Sequence, residues 1–194
     1  MQSFEQEIKH FLRSQQLDFT DNSESFKRLD FTVKLAGDWK FHFDAKEKRQ
    51  RYNLQSWQLL PDQEHHAFIM DDLAARKILA YAPYSGMVVR DNLLGGYYFF
   101  SVLDLFLMPK IRVNRPIHKE QPGWKGKWIV DLRNGRKCGT MAEVLAQFSH
   151  FIEKREDFFL HILECYGVYQ GESIGQRGEV RRPEHWDVDV KETR

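Results

Sequence analysis

The sequence predicts a mixed α/β (α+β) domain, and three observations lead there. Residues 29–46 alternate apolar and polar side chains through two arms joined by Ala36-Gly37-Asp38, the pattern of a half-buried β-hairpin. Two further apolar stretches, 87–90 and 97–101, read as strands around Asn92–Gly96. Residues 3–16 and 141–154 instead carry apolar residues at helical spacing.

With 194 residues, 42% of them hydrophobic and 14% aromatic, the chain has enough apolar mass for a true core and is not of disordered composition. The expected division is one domain over 1–170 and a polar tail over 171–194. Apolar runs are too short or too interrupted to cross a bilayer. Met1-Gln2-Ser3-Phe4-Glu5 has neither the basic start nor the apolar core of a signal peptide. Two cysteines, Cys138 and Cys165, do not make a disulfide framework. A cytoplasmic protein with no membrane association is expected. Net charge is only +1, but basic residues gather between Lys110 and Lys137 and again at Lys46, Lys48, Arg49 and Arg51. Such segments are either an electrostatic footprint for phosphates or ordinary solvated faces.

In chain order, Ser3 is placed to cap the first helix, with Glu5 and Glu7 in its first turn and Phe4, Ile8, Phe11 and Leu12 as its apolar stripe. Leu17–Phe19 is a short extended piece and Thr20–Lys27 a turn. In the hairpin, Leu29, Phe31, Val33, Leu35, Trp39, Phe41 and Phe43 share the hidden faces. The loop sets Leu35 opposite Trp39, Val33 opposite Phe41 and Asp30 opposite Asp44. Pro61 suits the first turn of a helix, expected to run to about residue 76–80 with Ala67, Met70, Leu73 and Ala74 inward. His65 and His66 point about 100° apart on such a helix and do not converge on a metal. Residues 83–86 form a turn, 102–108 a short helix or a strand extension, 110–113 and 128–132 strands, and 118–126 an exposed loop in which Trp124 amid lysines is either a nucleic-acid contact or packing. Arg133–Arg136 is a turn. Thr140 and Glu143 form a capping box for a helix to about Lys154, followed by a second helix over 156–166.

The chemistry is concentrated on the polar face of the hairpin. Directly opposed residues stand roughly 4.5–5.5 Å apart, and like charges there repel. A hard divalent cation such as Mg²⁺ would compensate Asp30 and Asp44, because it takes oxygen ligands. Lys46 joins the same face. Two carboxylates and a lysine suit metal-assisted phosphodiester hydrolysis, the acids holding the ion and the ammonium orienting water or countering charge on the phosphate.

Asp30, the hairpin, Phe43-Asp44-Ala45-Lys46, the basic stretch behind it and Gln63 resemble the signature of the PD-(D/E)xK nuclease superfamily, most closely that of RecU-type Holliday-junction resolvases. The resemblance spans roughly residues 28–108 and departs where Leu29 replaces the usual Pro. It implies a restriction-endonuclease-like mixed central β-sheet flanked by helices. It also implies Mg²⁺ or Mn²⁺ on Asp30, Asp44 and the Ala45 carbonyl, with Lys46 positioning the attacking water and Gln63 supporting the site. A glutamate of the first helix completes the set, Glu5 being favoured over Glu7. The partner implied is DNA, with branched DNA as one substrate class, and junction resolution would call for a homodimer. The alternatives are the same fold used only to bind DNA or assemble a complex, in which the acids splay apart, and an unrelated α/β domain.

Overall fold

The computed structural model describes residues 3–52, 65–108, 110–116 and 123–166. Helix α1 (Phe4–Ser14) opens on a complete capping box, in which Ser3 Oγ accepts from the Gln6 amide and the Gln6 side chain accepts from the Ser3 amide. Its stripe of Phe4, Ile8 and Leu12 is buried. Strand β1 (Phe19–Asp21) lies two residues beyond the extended piece expected from sequence. Then come β2 (Phe31–Lys34) and β3 (Lys40–Lys48), joined by a 3₁₀ turn over Ala36–Asp38. Gly37 at φ 72° and Asp38 at φ 62° supply the left-handed conformations of that turn. The register matches the expected one: Phe31 pairs with Phe43 and Val33 with Phe41, and the Leu35 amide donates to the Trp39 carbonyl at 2.7 Å.

The helix expected to run on from Pro61 is not what the chain forms over its described part. Ala67–Asp71 is strand β4, and helix α2 begins only at Asp72 and ends at Ala80. Leu73, expected inward, is 60% exposed, while Ala74, Ala75 and Ile78 are buried. The apolar run Ala67-Phe68-Ile69-Met70 fits a strand and a helix equally well by periodicity, and tertiary pairing decides it. Strands β5 (Ser85–Asp91) and β6 (Tyr97–Ser101) follow, then helix α3 (Val102–Leu107), strands β7 (Lys110–Pro116) and β8 (Trp124–Asp131), and β9 (Arg136–Cys138). Helix α4 is continuous from Met141 to Tyr166 and replaces the two helices expected. The charged run Glu153–Asp157 interrupts the apolar pattern but contains no glycine or proline to break the backbone. The polar tail and Gln63 lie outside the described residues.

The strands form two sheets. The larger is ordered β1-β2-β3-β5-β6-β9, with β3 and β5 parallel and the other pairings antiparallel, so it is mixed. The smaller, β4-β8-β7, is antiparallel, and the sequence pattern does not mark it as a separate unit. Three of the residues expected in an exposed loop, Trp124–Gly126, begin β8. Odd-numbered residues of β3 face α1 and α4: Phe148 of α4 stacks on Phe41 at 4.4 Å and meets Phe43 at 5.0 Å. Even-numbered residues face α2, where His42 meets Tyr81 at 4.8 Å. A sheet flanked by helices on both faces results. Trp39, assigned to the core from sequence, is 40% exposed and rests on Tyr84 at 5.1 Å, because the strand proper starts one residue later. No described helix is long and apolar enough to cross a membrane.

Candidate functional site

Strand β2 ends its pairing with β3 at Phe31↔Phe43, whereas β3 continues to Lys48 beside β5. Beyond Phe43, β3 therefore has an open edge. The His42 amide and the Lys48 carbonyl bond toward the β5 side, so by strand alternation the Ala45 amide and carbonyl address the open edge. There the side chain of Asp30 takes the place of a neighbouring strand: its Oδ2 accepts from the Ala45 amide at 2.9 Å. The same register sets Asp44 on the α2 face, fully buried, and Asp30 beside it, 8% exposed.

Lys46 closes the arrangement. Its Nζ lies 2.6 Å from Asp44 Oδ2, 3.2 Å from the Ala45 carbonyl oxygen and 3.5 Å from Asp30 Oδ2. One point in space is thus reached by three hard oxygen donors. Lys77, from α2, lies 3.7 Å from Asp44 Oδ1. Neither Asp44 oxygen receives a well-directed hydrogen bond from a described residue, despite these ion pairs. Burial pushes the Asp44 carboxyl up to about 6, against the opposing pull of Lys46; the Asp30 charge adds to the rise. Burial alone would lower the Lys46 ammonium, but Asp44 and Asp30 outweigh it and hold it above its ordinary value. A cavity of about 470 Å³ opens onto these groups, with Asp30, Asp44, Lys46, Lys77 and Lys127 on its wall and the exposed side chains of Phe26 and Leu73 at its rim.

The residues read from sequence fall in different places. Asp30, Asp44, Ala45 and Lys46 converge. Glu5 lines a second cavity of about 330 Å³ together with Ala45 and Lys46. Glu7 instead accepts from Arg90 and Tyr97 and ties α1 to the sheet. Sequence reasoning missed Lys77, since no local pattern links a lysine on α2 to the hairpin. It also missed Asp71, which pairs with Lys125 and Lys127 at the cavity wall. Much of the basic segment is occupied internally: Lys110 caps the carbonyls of Leu105 and Phe106, Arg133 pairs with Asp131, and Arg136 bonds Gln147. Lys48 is wholly buried and donates to the His65 carbonyl.

The oxygen donors suit a hard divalent cation: two carboxylates, one carbonyl, and in Asp44 two buried oxygens without hydrogen bonds. The set is small, for among the described residues no three His, Cys, Asp or Glu side chains cluster as a metal site.

No protein-family model matches the chain, and no curated protein matches it. Solved structures that resemble it include the Holliday junction resolvase Hjc of Archaeoglobus fulgidus, an archaeal hyperthermophile. That likeness has 11% identity and a TM-score of 0.41, covering 72% of this chain and 97% of the other. A nuclease from a fusselovirus resembles it at 6% identity and a TM-score of 0.42, covering 76% and 86%. At such low overlap the chemistry of the site rests on its own residues.

Proposed function

We propose that the chain is a metal-dependent DNA endonuclease of the PD-(D/E)xK type, hydrolysing phosphodiester bonds. The observation that carries this reading is the convergence of Asp30, Asp44 and the Ala45 carbonyl on the point now held by the Lys46 ammonium. Three oxygens that already surround one cation are arranged to surround another. Asp30, Asp44 and Ala45 O would hold Mg²⁺ or Mn²⁺, which when bound polarises a phosphate and lowers the pKa of water.

Lys46, which lines the same cavity, would orient the attacking water and counter charge developing on the phosphate. Asp30, anchored by the Ala45 amide, keeps its carboxylate aimed without relying on its rotamer alone. Glu5 lines the second cavity, beside Ala45 and Lys46 on the α1 side, and would act from there rather than as a third ligand beside Asp30 and Asp44. The mixed sheet with helices on both faces agrees with the restriction-endonuclease-like fold that the sequence resemblance implies. The sequence resemblance to RecU-type resolvases points to branched DNA as substrate and, for symmetric junction cleavage, to a homodimer.

The test is incubation of the purified protein with a four-way junction, a linear duplex and single-stranded DNA, each with Mg²⁺ and with Mn²⁺. Metal-dependent cleavage that Asp44→Asn abolishes is the expected result. A second reading, the same fold binding DNA without cutting it, has against it that the acids converge rather than splay, and in its favour the small ligand set and the lysines already paired with Asp44. It predicts DNA binding with neither cleavage nor metal-dependent stabilisation.

A further inference from the structure

Lys77 stands at the site without a place in the motif. It sits on α2, its side chain is 18% exposed, and it lines the same cavity as Asp30, Asp44 and Lys46. Its Nζ donates to the Arg28 carbonyl at 3.0 Å and lies 3.7 Å from Asp44 Oδ1, too far for a hydrogen bond. An ammonium has three donors, and only one of these is used by a described residue. The bond to Arg28 fixes the group in position at the cavity wall.

We propose that Lys77 is a phosphate-binding residue, taking a non-bridging oxygen of the phosphodiester at the site. The inference rests on the nuclease reading for its catalytic part and on geometry alone for its binding part. Lys46 is bound to all three converging oxygens and is committed to them until they find another cation. Lys77 makes one hydrogen bond, to backbone, and only a long ion pair with Asp44. It adjoins the carboxylate pair and opens onto a cavity whose wall also carries Lys127, itself paired with Asp71. An ammonium makes its strongest hydrogen bonds to anionic oxygens such as those of a phosphate, and Lys46 offsets the charge of the adjoining carboxylates that would otherwise repel one. Arg28 O is also two residues before Asp30, so Lys77 would register the substrate against that side of the site.

The experiment uses the full chain and its Lys77→Met and Lys77→Arg variants. Equilibrium binding to a single-stranded oligonucleotide is followed against salt concentration without divalent cation, and cleavage is followed with Mn²⁺. Removing a single lysine–phosphate bond should make the log–log salt slope of the Met variant shallower by about 0.7. Its kcat/KM should fall roughly 100-fold, the usual cost of one preorganised donor. Lys77→Arg should keep the slope. Thermal melts followed by circular dichroism confirm that both variants fold. A folded Met variant with the wild-type slope and wild-type cleavage overturns the proposal, and so does an Arg variant that loses the slope while folded. If the wild type cleaves nothing, the nuclease reading fails, yet the salt slope still decides whether Lys77 holds phosphate.

Discussion

The backbone amide of Ala45 donates to the Asp30 carboxylate at 2.9 Å. A side chain thereby performs a sheet's hydrogen bonding at the place where the sheet opens, and two substitutions separate its roles. Asn at position 30 keeps an oxygen for the Ala45 amide but loses the charge. Asp30→Asn should therefore fold normally and lose cleavage by at least about 100-fold. Asp30→Ala should lose cleavage and also about 1–3 kcal/mol of stability, for an amide left unpaired. Urea unfolding and cleavage rates of both variants check this; equal stability of the two would be contrary evidence.

Asp44 gives a pH signature in the metal-free protein. Its pKa is about 6 folded against an ordinary 3.8. Between those values the folded chain binds more protons than the unfolded chain, so stability falls as pH rises through the window. The contribution is on the order of 3 kcal/mol if Asp44 acts alone. Denaturant titrations of wild type and Asp44→Asn between pH 4 and pH 7 should diverge in slope, the variant lacking this decline. Parallel curves would show that Asp44 titrates at its ordinary value.

The two first-turn glutamates of α1 should separate cleanly. Glu7 accepts from Arg90 and Tyr97, and Arg90 also reaches Glu47, with Arg90 and Glu47 only 12% and 10% exposed. Breaking such a pair costs about 3–5 kcal/mol when it is buried. Arg90→Met should be the more damaging, and Glu7→Gln should cost less because Glu7 is 27% exposed. Glu5→Gln should cost no more than a first-turn charge is worth, about 0.3–1 kcal/mol, and should lower the cleavage rate. A larger stability loss, or full activity, would remove Glu5 from the site.

Gly86 lies across from Phe43 in the sheet. A Cβ added there would sit 2.4 Å from the Phe100 carbonyl oxygen and 3.0 Å from the Phe99 ring. Backbone would have to move, so Gly86→Ala should destabilise the fold by about 3 kcal/mol, the upper part of the overpacking range. Chemical denaturation measures it; a change below about 1 kcal/mol, the lower end of that range, would mean that β6 yields easily.

The hairpin was legible because its alternation and its glycine turn both act over a few residues. Phe31, Val33, Phe41 and Phe43 could be assigned to the hidden face and the register counted from the loop. Trp39 failed because strand-like alternation says nothing about where a strand starts. Ala67–Met70 failed because a short apolar run suits either period, and the partner that makes it a strand, β8, comes much later in the chain. The carboxylates could be read, since a motif places them on one face. Their burial and the approach of Lys77 could not, because both are set by how α2 crosses the sheet.

The parallel pairing of β3 with β5 has a kinetic consequence. The hairpin of β2 and β3 closes through contacts between near neighbours, whereas β5 and Lys77 arrive only after a long crossover has been ordered, a slow and entropically costly step. By that order Asp30, Asp44 and Lys46 come together in the hairpin before α2 and β5, which bury them, are in place. Lys77 and the cavity wall are added only with the crossover, so the complete site is gained late, together with the core.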